Sequence, residues 1–275
     1  MSTANPALWA PIRYDAVQRL LEFATTDGAV SLLAGPSLVA DGQELHLEEA
    51  TLESPPQADG GELLIRYWKA PVVLSLRVAR SAEARTLTLQ ATLRNEGSDP
   101  VALGECRLLD VSPRRGQVRL AGDDGDAVYL KSMGATGPAR VHRCREGEGF
   151  ARTLLHLVSH AAGRALTLGF VTFDHQTTHH RFQYEAPGLA GLQSVCDFEG
   201  WVLPPGAEVA TELLTLEVSA DLFIGLERWA DRVQAHYAPP IWPKSTGGWL
   251  GWAWVDAFNH EVYEETVLRN CRAIR

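Results

Sequence analysis

The chain has 275 residues, enough for one large domain or two ordinary ones, and 45% hydrophobic with 21% charged residues fits a folded protein rather than a disordered, collagen-like or coiled-coil one. A formal net charge of -9 with no basic block repels phosphate backbones and anionic headgroups, which argues against nucleic acid and membrane surfaces as partners. The N-terminus "MSTANPALWAPIRYDAVQRLLEF" lacks a basic region followed by an unbroken apolar stretch, and no apolar run nears the ~20 residues of a bilayer span, so the expected location is cytoplasmic.

From about Gly28 to Val218 apolar and polar residues alternate. In "RTLTLQATLRNEGSDPVAL", Leu87, Leu89, Ala91 and Leu93 share one face, Thr86, Thr88, Gln90 and Thr92 the other, and "NEGSDP" supplies turn chemistry. The same pattern marks "GELLIRYW", "VVLSLRVA", "GQVRLAG", "RTLLHLVSH", "RALTLGFVTF" and "AEVATELLTLEV". So many short strands predict a mainly β fold, with one large double sheet more economical than two small ones. Cys106, Cys144, Cys196 and Cys271 form no Cys-x-x-Cys pair, so buried free thiols are expected rather than a zinc knuckle or disulfides.

Two polar clusters interrupt this region. Asp123, Asp124 and Asp126 in "AGDDGDAV" lack the glutamate and glycine placement of an EF-hand and read as an acidic turn. "FDHQTTHHRF" holds Asp174, His175, His179 and His180; on an extended chain His175 and His179 share a face but stand ~13 Å apart, beyond the span of one metal ion. The segment reads as a solvated hairpin loop, a place from which histidines can rim a sugar pocket or a subunit interface. No nucleophile elbow, phosphate loop or dinucleotide fingerprint occurs, so no metal and no cofactor is assigned.

At residue 221 the period becomes helical. Phe223, Leu226, Ala230, Val233 and Tyr237 recur every three or four residues behind Asp221 at the N-cap position, which predicts an amphipathic helix over about 221–237 closing a first domain of residues 1–237. "APPIWPKSTGG" then forbids regular structure and supplies a linker over 238–247. Residues 248–275 read as one strand, Trp249 to Val255, a short loop, and a helix from near Asn259 through Tyr263, Val267, Cys271 and Ile274. A lone βα unit has two unpaired strand edges and no second strand to reach, so the expectation is that the chain stops short of a larger barrel.

The residues "GWLGWAWVDAF" resemble the first barrel strand of the α-galactosidase and raffinose-synthase group of glycoside hydrolases, whose strand reads Gly-Trp-x-x-Trp or Gly-Trp-x-x-Trp-Asp-Ala-Phe. One register places Gly248, Trp249, Gly251 and Trp252 on the shorter pattern; the other places Gly251, Trp252, Asp256, Ala257 and Phe258, with Val255 in place of the second tryptophan. The resemblance implies a galactose-mutarotase-like β-supersandwich followed by a helix and the first βα unit of a truncated (β/α)8 barrel. It further implies that Trp249 or Trp252 lines the sugar pocket, with Asp256 at the strand end where barrel active sites lie.

A retaining glycosidase needs two carboxylates ~5 Å apart. In that group both are aspartates on later barrel strands, so no residue of this chain is a catalytic candidate and the chain alone is expected not to hydrolyse its substrate. The implied ligand is an α-galactoside and the implied assembly a homo-oligomer. A non-catalytic carbohydrate-binding protein, using Trp201 or the terminal tryptophans, and a purely structural β protein are the rival readings.

Overall fold

The computed structural model describes residues 8–53, 60–112, 114–120, 128–131, 140–143, 147–185, 188–238 and Arg272. The chain divides into two units, residues 1–237 and 238–275. The linker and the strand and helix expected over 248–275 lie outside the described residues, as do Asp123, Asp124 and Asp126.

Among the described residues the strands in chain order are β1 (Arg13–Asp15), β2 (Leu20–Ala24), β3 (Val30–Ala40), β4 (Gln43–Leu45), β5 (Ala50–Leu52), β6 (Gly60–Tyr67), β7 (Val72–Arg80), β8 (Thr86–Asn95), β9 (Val101–Val111), β10 (Gln117–Leu120), β11 (Val128–Lys131), β12 (Arg140–Arg143), β13 (Gly147–Arg152), β14 (Leu154–Ser159), β15 (Arg164–Phe170), β16 (Thr177–Glu185), β17 (Gly188–Leu203), β18 (Glu208–Ala210) and β19 (Leu214–Ser219), followed by α1 (Ile224–Tyr237). They form two antiparallel sheets. A nine-stranded sheet runs β1-β2-β3-β9-β17-β16-β13, with β4 and β10 also on β3. A ten-stranded sheet runs β12-β11-β14-β15-β19-β8-β7-β6-β5, with β18 also on β8.

The alternation read in the sequence is what builds the space between the sheets. Leu38, Leu103 and Leu192 come from the nine-stranded sheet and Leu63, Leu74, Leu87, Leu89 and Leu216 from the ten-stranded one, all buried in one apolar cluster. Each such leucine contributes about 1.5–3 kcal/mol relative to exposure. Cys106 and Cys196 are direct partners across β9 and β17, buried and reduced, and burial pushes the Cys106 thiol up to about 12. The strands before Gly28, β1 and β2, extend the nine-stranded sheet beyond the region that the alternation marked.

The helix forms where the period changes, but it begins at Ile224, and Asp221 serves it from outside by accepting the backbone N–H groups of Phe223 and Ile224 (2.9 and 3.3 Å). Its packed face differs from the apolar face expected. Phe223 and Tyr237 are 65% and 38% exposed, whereas Gly225 is buried and Trp229 lies over Gly169, leaving no room for a Cβ at either glycine. The Trp229 Nε1–H donates to the Phe170 carbonyl (2.8 Å). Arg228 and Arg232 reach Glu217, 2% exposed on β19, at 2.7 and 2.6 Å. Polar partners on the sheet thus turned the helix away from its apolar stripe, because leaving the Glu217 carboxylate covered and unpaired costs more than exposing Phe223.

His156 ties the helix entry to the same sheet. Its Nε2 faces the Leu222 carbonyl (2.6 Å) and its Nδ1 the Thr167 hydroxyl (2.8 Å). A carbonyl only accepts, so the proton sits on Nε2 and the Thr167 hydroxyl donates to Nδ1. Burial lowers the His156 pKa and keeps the ring neutral.

Candidate functional site

On the nine-stranded sheet, side chains that alternate with the core residues point away from the ten-stranded sheet. In β16 the inward set is Thr178, His180, Phe182 and Tyr184, and the outward set is Thr177, His179, Arg181, Gln183 and Glu185. One line of cross-strand partners runs Phe150, Arg181, Gln193, Asp110 and Gly35 over five strands. A second runs Arg152, His179, Val195, Arg107 and Ser37. Directly opposed side chains of this kind are in contact range, so the face is a connected polar surface.

Its hydrogen bonds are closed in the middle and open at one side. The buried Asp110 carboxylate accepts from the Ser37 hydroxyl (2.7 Å) and from the Gln193 Nε2–H (2.8 Å). Glu105 accepts from Arg107 through Nε and Nη2 (3.1 and 2.9 Å) and also from Arg181. Burial raises the Glu105 carboxyl, but the hydrogen bonds from Arg181 and Arg107 outweigh it and hold it below the usual carboxylate range. Arg107 extends the chain of charges to Glu44. Toward β13 the surface opens into a groove of about 640 Å³ walled by Glu148, Phe150, Arg181, Gln183 and Gln193, with Gly191 among its lining. Phe150 is 42% exposed and stacks on His179 with ring centroids 5.0 Å apart.

The histidine segment is therefore a strand and not a solvated loop. His179 is 7% exposed, His180 is 0% exposed, and only His175 has the surface position expected. The reason is the alternation in "TTHHRFQY": with Phe182 and Tyr184 inward, His180 follows them into the sandwich. There its Nε2–H donates to the Thr153 carbonyl (3.2 Å) and its Nδ1 accepts from the Ser194 hydroxyl (3.0 Å), while burial drives its pKa to about 3. His175 is held by its backbone, whose N–H donates to the Glu212 carboxylate (2.6 Å).

Trp249, Trp252 and Asp256, the sugar-binding residues expected from the terminal motif, lie outside the described residues. Trp201 is described; it stands at the far end of β17, 47% exposed, paired with Leu103 and away from the groove's lining. The residues that do converge, Arg107, Asp110, Arg181 and Gln193, were not singled out in the sequence. Their signal was present as polar positions alternating with core leucines, but only register brings three separate strands to one place.

The described fold resembles that of α-N-acetylgalactosaminidase from Bifidobacterium bifidum, solved with GalNAc, with a TM-score of 0.53, 8% identity and 82% of this chain covered. The two share a fold. The match takes in 37% of the enzyme's chain, so this chain spans well under half of its length. Two α-galactosidases are also similar: one from Geobacillus stearothermophilus, solved with stachyose, at 13% identity and TM-score 0.47 over 84% of this chain and 32% of its own, and one from Lactobacillus brevis at 12%, 0.46, 84% and 31%. No protein family and no curated relative matches the sequence.

Proposed function

We propose that this chain is the N-terminal sandwich of an α-galactosidase-like glycoside hydrolase acting on α-galactosides, and that residues 248–275 begin its catalytic barrel. Trp249 or Trp252 then lines the sugar pocket and Asp256 stands at the end of the first barrel strand. The reading is carried by one conjunction: a two-sheet fold shared with part of a glycoside hydrolase, followed along the chain by "GWLGWAWVDAF". Both catalytic carboxylates belong to later strands of the parent protein, which works as a cytoplasmic homo-oligomer.

The test is the native polypeptide isolated from its source cells. A mass well above 30.1 kDa together with hydrolysis of p-nitrophenyl α-galactoside supports the reading, and a native product of 30.1 kDa without hydrolysis overturns it. A second reading, a carbohydrate-binding protein without catalysis, is favoured by the polar groove at β13, β16 and β17, which needs no residue beyond the sandwich.

A further inference from the structure

We infer that the groove between β13, β16 and β17 is a binding site for a neutral oligosaccharide, held by Phe150, Arg181, Gln183 and Gln193. The inference shares with the proposed function only the class of ligand; it needs neither the barrel nor hydrolysis.

Three observations carry it. The first is size: about 640 Å³ lies within the roughly 300–1,000 Å³ range of small-molecule sites and accommodates a di- or trisaccharide. Gly191 contributes only backbone to the lining, and a Cβ there would press on the Val111 carbonyl at 3.3 Å.

The second is the pairing of an aromatic with bidentate polar groups. Phe150 is exposed on a strand, fixed by its stack on His179, and presents a flat apolar surface of the kind that the C–H face of a pyranose covers. Beside it Arg181 is bound to Glu105 through Nη2, and Gln193 is bound to Asp110 through Nε2, so both side chains are oriented before any ligand arrives. Preorientation of this kind spares the ordering cost of binding. Gln183 adds an amide, anchored through its Nε2–H to Glu185 (2.7 Å), whose carbonyl oxygen accepts from a hydroxyl.

The third is charge. Among the described residues that line the groove, the charged side chains are Arg181, already paired with Glu105, and Glu148. An acidic sugar or a phosphate would meet the Glu148 carboxylate and, among the described lining residues, a guanidinium that Glu105 already holds. A ligand made of hydroxyls meets donors and acceptors in alternation, at no cost in unpaired charge.

The experiment titrates the 275-residue chain with raffinose by calorimetry and by amide chemical shifts, with galacturonate as the acidic comparison. Expected are saturable binding of raffinose, weaker binding of galacturonate, and shifts concentrated at Gly149, Phe150, Gly191 and Gln193. Phe150→Ala, at an exposed position, and Gln183→Ala, at a half-buried one, are expected to weaken binding by about tenfold and severalfold respectively. Saturable binding unchanged in both variants, shifts confined to the surroundings of Trp201, or no saturable binding of raffinose each overturn the site. The shifts of the unmodified chain decide the question even if a variant folds poorly. Loss of the glycosidase reading through the native-mass test leaves this result untouched, and the converse holds as well.

Discussion

The two outward sheet faces are built from the same ingredients and finished differently. On the ten-stranded sheet Glu217, Thr86, Thr167 and His156 meet α1, and each is answered by the helix or by its neighbour: Glu217 by Arg228 and Arg232, His156 by the Leu222 carbonyl. On the nine-stranded sheet Glu105 is answered by Arg107 and Arg181, and Asp110 by Ser37 and Gln193, and among the described residues no α-helix covers them. A polar face closed by its own chain is spent on stability. A polar face that satisfies itself sideways keeps its outer edges free for solvent or a ligand.

If that contrast holds, the largest loss comes from breaking the closed face at its anion. Glu217→Ala leaves two guanidiniums directed at an empty site beneath α1, and urea unfolding at pH 7 is expected to show a loss of about 3 kcal/mol, at the lower end for a buried pair because both arginines also reach water. Next is acid. His180 titrates near 3 when folded and at 6.5 when unfolded, so the unfolded chain binds more protons between those values and stability falls as pH drops below 6.5. Going from pH 7 to pH 5 is expected to cost about 2 kcal/mol, and His180→Gln flattens the slope measured by urea unfolding across that range.

Gly169→Ala drives a methyl group into the indole of Trp229. Its expected cost is about 1–2 kcal/mol, seen as lost hydrogen-exchange protection in α1 while the amides of β7 and β8 keep theirs. The smallest effect belongs to the open face: Phe150→Ala is expected to change unfolding free energy by less than about 0.5 kcal/mol, since the ring is already 42% exposed. A large loss there would erase the contrast between the faces.

The strands were readable where one face was apolar and the other polar. Leu87, Leu89, Ala91 and Leu93 turned inward as their alternation required, and the two-sheet class followed from the number of such runs. In the histidine segment residue type and register point to opposite places: four polar titratable groups suggest solvent, but Phe182 and Tyr184 set the parity of β16, and His180 could only follow them inside. The helix was legible in place and length, but its orientation was not. Its apolar spacing pointed to Phe223, Leu226 and Tyr237, while the deciding partner, Glu217, sits on a strand and shows no mark in the helix itself.

What the amino-acid order alone determined here is local: the period of each segment, its turns, the parity that sends one set of side chains inward, and the helical change after residue 221. Which strands pair, and therefore whether Phe150, Arg181, Gln193 and Asp110 stand on one line or far apart, was decided only by the tertiary structure. The physical reason is that burial acts on each side chain by its own polarity, whereas a site needs groups from β13, β16, β17 and β9 in register. That register depends on a common core filling without gaps, a condition no single segment contains.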